Sequence, residues 1–170
     1  MNTNYLFKEK QKFTQWWIWI ILLGINGMFL YGIYKQIILK EVFGDNPMSD
    51  AGLLLMFLFT LVITLSFIIM RLETKIDKEG IHVRLFPLHV NFKFFKWDEI
   101  EKAYIRKYNP ILEFGGWGLR FGFKGMAYNV SGNKGLQLEF RNGNKLLIGT
   151  NRAEELNEVV KEFKNNNLRK

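Results

Sequence analysis

The chain contains no cysteine. Disulfides, thiolate metal sites and cysteine nucleophiles are therefore excluded. Histidine is nearly as scarce: His82 and His89 are the only two, no HExxH pattern occurs, and a zinc site would need several carboxylates. No serine sits in a G-x-S-x-G elbow. The glycine-rich stretch Gly115-Gly116-Trp117-Gly118 lacks the third glycine of a dinucleotide fingerprint, and no Gly-Lys-Ser/Thr follows it. Asp98, Glu99 and Glu101 read as a solvated turn rather than a paired general acid and base. The expectation is no enzyme, no catalytic residue, no cofactor and no metal.

Charge is absent from two long runs. Trp16 to Tyr34 and Ala51 to Met70 hold no Asp, Glu, Lys, Arg or His, and as helices they would reach about 28 and about 30 Å, close to a bilayer core. A small soluble protein cannot surround two such helices on all sides. The first run is too long for a signal peptide, and no small-x-small cleavage site follows it. Trp16, Trp17 and Trp19 at one end and Tyr31 and Tyr34 at the other match interfacial belts. The organisation expected is a cytoplasmic segment 1–15, transmembrane helices 16–34 and 51–70, an external loop 35–50 and a cytoplasmic domain 71–170. Lys8, Lys10 and Lys12 before the first span, and Arg71, Lys75, Lys78 and Arg84 after the second, outweigh Lys35 and Lys40 in the connection, which puts both termini in the cytoplasm. Asn26 falls at the depth of Thr60 in an antiparallel hairpin, with Thr64 one turn further on the same face, so a hydrogen bond across the hairpin is expected. Ion-coupled transport is disfavoured, because no ionisable side chain lies inside either run.

The net charge is +8, and the part after Met70 holds nineteen Lys and Arg against twelve Asp and Glu. The signs are interleaved there, which reads as a solvated surface near anionic lipid and not as a nucleic-acid site. Asn129-Val130-Ser131 matches a glycosylation sequon but is more simply a polar turn.

From Leu72 the hydrophobic period changes from helix to strand. Leu72–Asp77 and Ile81–Leu85 alternate around a turn at Lys78-Glu79-Gly80, which predicts a hairpin. Further strands are expected at Val90–Trp97, with a bulge at Phe94-Phe95, and at Ile100–Tyr108, ended by Asn109-Pro110. After the glycine-rich segment come Met126–Val130, Leu136–Phe140 and Leu146–Ile148, the last two joined by Asn142-Gly143, a strong hairpin turn. Asn151 with Glu154 forms a capping box for a helix over about 152–165, with Leu156, Val159, Val160 and Phe163 on one face. The fold class expected is an α+β membrane protein: a two-helix hairpin followed by a PH-like β-barrel of seven or eight antiparallel strands with a C-terminal amphipathic helix.

The stretches GGWGLR, AYNVSGNKGLQLEF and LLIGT between Gly115 and Thr150, together with the two preceding spans, resemble an uncharacterised family of bacterial two-span membrane proteins with a PH-like domain. The resemblance implies a bacterial cytoplasmic membrane and that fold, and no activity. Eukaryotic PH domains hold phosphoinositides through basic residues around their first hairpin. Here Lys78-Glu79-Gly80-Ile81-His82-Val83-Arg84 departs from that pattern at His82 and Glu79. Two surfaces follow as candidates. Trp117, Leu119, Arg120 and Phe121, in the loop from Asn109 to Gly125, would contact a protein partner or a second copy. Lys75, Lys78 and Arg84 would contact anionic lipid headgroups.

Overall fold

The computed structural model describes residues 5–122 and 125–167. The chain divides into two compact units: Thr14–Ile69, and the chain on either side of it, up to Phe13 and from Met70 onward.

The first unit is a pair of helices. Helix α1 runs Trp16–Ile33 and continues through a π-helical turn at Tyr34–Ile38, and α2 runs Asp50–Ile69. Both are long and apolar enough to cross a membrane. Most of their side chains face outward within this chain: Leu23 is 65% and Leu55 66% exposed. The first helix extends four residues past Tyr34, and the connection between the helices is correspondingly shorter than 35–50. Helix α2 opens on Ser49, whose hydroxyl accepts from the Gly52 amide at 3.2 Å, as expected of a serine at that boundary. Gln36 spans the connection, donating to the Met48 carbonyl and to Asp50 Oδ1.

The second unit is α+β. Strands β1 (Phe7–Lys12), β2 (Arg71–Ile76), β3 (Gly80–Phe86) and β4 (Lys93–Lys96) form an antiparallel meander. Strands β5 (Ile100–Lys107), β6 (Gly118–Gly122), β7 (Gly125–Asn129), β8 (Lys134–Phe140) and β9 (Lys145–Gly149) form a second sheet in the order β5-β8-β9-β7-β6. The short helix α3 (Pro110–Phe114) precedes β6, and α4 (Ala153–Asn167) follows β9. The core draws Leu72, Ile76, Ile81, Val83 and Leu85 from the first sheet and Leu136, Leu138, Ile148 and Tyr128 from the second. Leu156 and Val160 of α4 are buried as well, and the helix packs on β5 and β8.

Four expectations are corrected. The strands do not close into a barrel. Nine strands are present among the described residues, and β7 pairs with β9 in parallel. The two sheets meet at β1 through side chains rather than a backbone ladder: Gln11 donates to the Gly149 carbonyl at 2.7 Å, and Glu9 accepts from the Thr150 hydroxyl at 2.7 Å and the Asn151 amide at 2.9 Å. Second, the segment placed outside the domain supplies its first strand: β1 pairs with β2 from Phe7↔Ile76 to Lys12↔Arg71. Third, the strand expected over 90–97 is only Lys93–Lys96, and the register shift falls in β5, between Ile100 and Lys102. Fourth, Asn151 turns to Ser131, which accepts its side-chain N–H at 2.9 Å, and the Thr150 hydroxyl receives the Arg152 amide at the head of α4.

The β2–β3 and β8–β9 hairpins are present where the alternation puts them. Gly80 allows the first: a Cβ there would meet the Phe95 carbonyl oxygen at 2.2 Å, so β4 can approach only because the side chain is missing.

Candidate interaction surfaces

The outer face of the meander is a grid set by register. Cross-strand partners point to the same side. Lys8, Lys75 and His82 make one row, Lys10, Glu73 and Arg84 the next, and Lys12, Arg71 and Phe86 the third. Six cations therefore share one face with a single carboxylate. Glu73 is held by Arg71 Nε and Arg84 Nη2, each at 2.6 Å. Burial raises its pKa, but the hydrogen bonds and charges of Arg84 and Arg71 outweigh that and leave the carboxyl below its ordinary value. Among the described residues, Lys8, Lys10, Lys12 and Lys75 have no ion-pair partner.

Aromatic rings order these cations. Lys8 and Lys75 lie 4.6 and 5.1 Å from the Tyr5 ring centroid, and Lys75 also lies 4.4 Å from the Phe92 ring. Arg84 sits 4.4 Å from Phe92, and Arg71 4.4 Å from Phe86. Such contacts are attractive and leave the charge unneutralised. Of the three residues expected to contact lipid, Lys75 and Arg84 lie on this face, with Arg84 engaged by Glu73 and by the Val90 carbonyl. Lys78 lies apart, in the exposed β2–β3 turn. That turn is built on Asp77, whose Oδ1 accepts from the Glu79 and Gly80 amides and whose Oδ2 is 2.9 Å from His82 Nε2. Burial raises the Asp77 pKa, and these hydrogen bonds more than offset it, so the group stays ionised below the usual range.

The sequence reading missed Lys8, Lys10, Lys12 and Arg71 as members of this face. Its signal was the alternation Lys8-Glu9-Lys10-Gln11-Lys12, a period-2 pattern with the charges on one side.

The second candidate surface is the edge of the five-stranded sheet. Asn109 caps α3 through its side-chain oxygen, which accepts from the Ile111 and Leu112 amides at 3.1 and 3.0 Å, and Pro110 occupies the first turn. Gly115 ends the helix at φ 71°, the left-handed conformation that favours glycine. Phe114 is buried beneath it, while Ile111 and Leu112 face solvent, Leu112 at 83%. The four residues expected to meet a partner do not form one patch. Leu119 and Phe121 share one face of β6 and Arg120 lies on the other. Trp117 and Leu119 are half-buried, Phe121 is 73% exposed, and Arg120 Nε donates to the Trp117 carbonyl at 2.9 Å. Positions 123 and 124 of the expected contact loop lie outside the described residues.

In the helical unit, Asn26, Thr60 and Thr64 come together. Asn26 Nδ2 donates to Thr64 Oγ1 at 2.8 Å and to its own helix at the Leu22 carbonyl, and Thr60 Oγ1 donates to Asn26 Oδ1 at 3.3 Å. Asn26 and Thr64 are both buried between the helices. A double-mutant cycle of Asn26→Ala and Thr64→Ala, read by unfolding in detergent, should give a coupling of about 0.6 kcal/mol and no more than about 1.7.

No group of three His, Cys, Asp or Glu able to hold a metal occurs among the described residues. A cleft of about 500 Å³ near β4 and β9 is lined by apolar Phe95, Phe121, Met126, Phe140 and Leu146 together with Lys93, Glu99, Tyr128 and Lys145. Comparison of the chain with protein-family models, with curated proteins and with solved structures finds no match.

Proposed function

We propose that the protein is a membrane-anchored, non-enzymatic interaction module. Helices α1 and α2 cross the lipid as a hairpin, and the strand-rich unit they interrupt serves as a PH-like platform on the cytoplasmic side of a bacterial membrane, where it engages a protein partner or further copies of itself. The observation that carries this reading is the β1–β2 ladder. The strand before the first helix and the strand after the second run side by side, Lys12 opposite Arg71. The helices are thus an insertion into a β-hairpin, which requires the chain to cross the lipid an even number of times and return to the side it left. The basic flanks around Lys8–Lys12 and Arg71–Arg84 favour the cytoplasm for that side.

The PH-like reading rests on element order. With α3, β6 and β7 set aside as an insertion, what remains is a four-stranded meander, the three strands β5-β8-β9 and one C-terminal helix. Exposed Ile111, Leu112 and Phe121 beside the β6 edge supply the apolar part of a partner contact.

The absence of native cysteine makes the test direct. Asp45→Cys, in the connection, should react with a membrane-impermeant maleimide on intact cells. Asn142→Cys, in the β8–β9 turn, should react only after lysis. Labelling of both from one side, or recovery of the chain in the aqueous fraction without detergent, would falsify the anchored hairpin. A second reading, contact with anionic lipid headgroups, is favoured by the basic face of the meander.

A further inference from the structure

We infer that the outer face of the β1–β2–β3 meander is a binding surface for anionic phospholipid headgroups, assembled only when the strand ahead of the first span pairs with the strand behind the second. This rests on the second reading above and extends it to a site that neither half of the chain contains alone. Two rows of the grid set like charges directly opposite one another, Lys8 against Lys75 and Lys12 against Arg71. Like charges in that position destabilise a sheet. Lys8, Lys12 and Lys75 form no ion pair among the described residues, while Lys10 stands opposite Glu73, a carboxylate already engaged by Arg71 and Arg84. The rings of Tyr5 and Phe92 fix Lys75 without neutralising it. A sheet face with six cations and one carboxylate, itself held by two arginines, is complementary to a dense array of anions, and lipid phosphates provide one.

The chain connectivity selects lipid over a soluble polyanion. Lys12 lies four residues before α1 begins, and Arg71 two residues after α2 ends. With those helices in lipid, both cations are held close to the headgroup layer, where each basic residue gains about 1 kcal/mol from an anionic surface. Arg84, committed to Glu73, contributes by keeping that carboxylate from repelling phosphate.

The test uses the full chain in nanodiscs of phosphatidylcholine with phosphatidylglycerol, with native mass spectrometry counting the lipids retained. The parent should retain phosphatidylglycerol over phosphatidylcholine, and 0.5 M salt should remove most of the preference. A variant with Lys8→Gln, Lys10→Gln, Lys12→Gln and Lys75→Gln should lose roughly fivefold per lysine in contact. It should melt at or above the parent temperature, since its like-charge rows are gone. A charge-matched control with Lys102→Gln, Lys107→Gln, Lys134→Gln and Lys161→Gln, all on the second sheet or α4, should keep the preference. Equal retention of the two lipids by the parent, equal loss in both variants, or capture of nucleic acid or an acidic protein by this face without any lipid preference would overturn the inference. Flotation of the parent with pure phosphatidylcholine vesicles tests anchoring separately: a chain that floats but shows no headgroup preference removes this site and leaves the anchored module standing.

Discussion

Removing Thr14–Ile69 and joining Phe13 to Met70 through Asn-Gly should give a water-soluble, cooperatively folding protein, whereas residues 70–170 alone should not fold. The first outcome follows from register. The ladder runs from Phe7↔Ile76 to Lys12↔Arg71, so Phe13 and Met70 stand at its open end. A two-residue Asn-Gly loop closes such an end with the twist the strands require. The second follows from what β1 contributes. Phe7 is 2% exposed, and burying a side chain of that size is worth roughly 1.5–3 kcal/mol. Without Glu9 and Gln11, the Gly149 carbonyl loses the Gln11 donor, and the Thr150 hydroxyl and the Asn151 amide lose the carboxylate that accepts from them. A buried group left unsatisfied costs about 1–3 kcal/mol. The outer edge of β2 would lose a six-residue ladder as well. Together these losses rival the whole stability of a typical domain, about 5–15 kcal/mol. Far-UV circular dichroism and thermal melting separate the outcomes. A cooperative melt of 70–170 alone would make β1 dispensable and remove its claim to be part of the domain.

That same strand marks the limit of what the sequence made legible. The two apolar helices, the β2–β3 hairpin, the Asn142-Gly143 turn and the amphipathic C-terminal helix each announce themselves locally, by length, period or turn chemistry. Strand β1 does not. Its inward positions are Phe7, Glu9 and Gln11, so two of three core-facing residues are polar, and its partner lies beyond both helices. A pattern search for apolar alternation passes over it, because the inward polar groups make sense only once Gly149, Thr150 and Asn151 are beside them. The basic face was hidden for the same reason, with half its cations before the helices and half after. Helix α3 had its signals in place (Asn109 as cap, Pro110 in the first turn, Gly115 at the end), but five residues are too few to show a helical period. Val90 and Phe92 look like strand residues by composition. The Val90 carbonyl instead receives Arg84, and the Phe92 ring serves Lys75 and Arg84 on the outer face. Barrel closure could not be read from strand count alone, since it depends on whether β1 meets its neighbour by ladder or by side chain.

Helix α4 carries the other large effect, and Leu156→Ala should cost about 2–5 kcal/mol, against no more than about 0.5 kcal/mol for Glu158→Ala on the exposed side of the same turn. Leu156 is fully buried and Val160 nearly so, while Val159 and Phe163 are half-buried at the margins of the stripe. Urea-titrated pulse proteolysis of the full chain in detergent micelles would measure both variants. The consequence reaches the first sheet through one side chain. Phe163 stacks on Trp97, ring centroids 4.8 Å apart, and the Trp97 indole N–H donates to the Asp77 carbonyl at 3.1 Å. Asp77 in turn holds the β2–β3 turn and faces His82, which shares a row with Lys75 and Lys8. An undocked α4 therefore releases Trp97, then the turn, then the end of the basic grid furthest along the chain from the helices. Trp97→Phe separates these steps. It preserves the aromatic contact with Phe163 but removes the indole donor, so it should cost about 1 kcal/mol, the net worth of one such hydrogen bond, well short of Leu156→Ala. A Trp97→Phe loss as large as that of Leu156→Ala would place the stabilising link at the turn and not in the helix stripe.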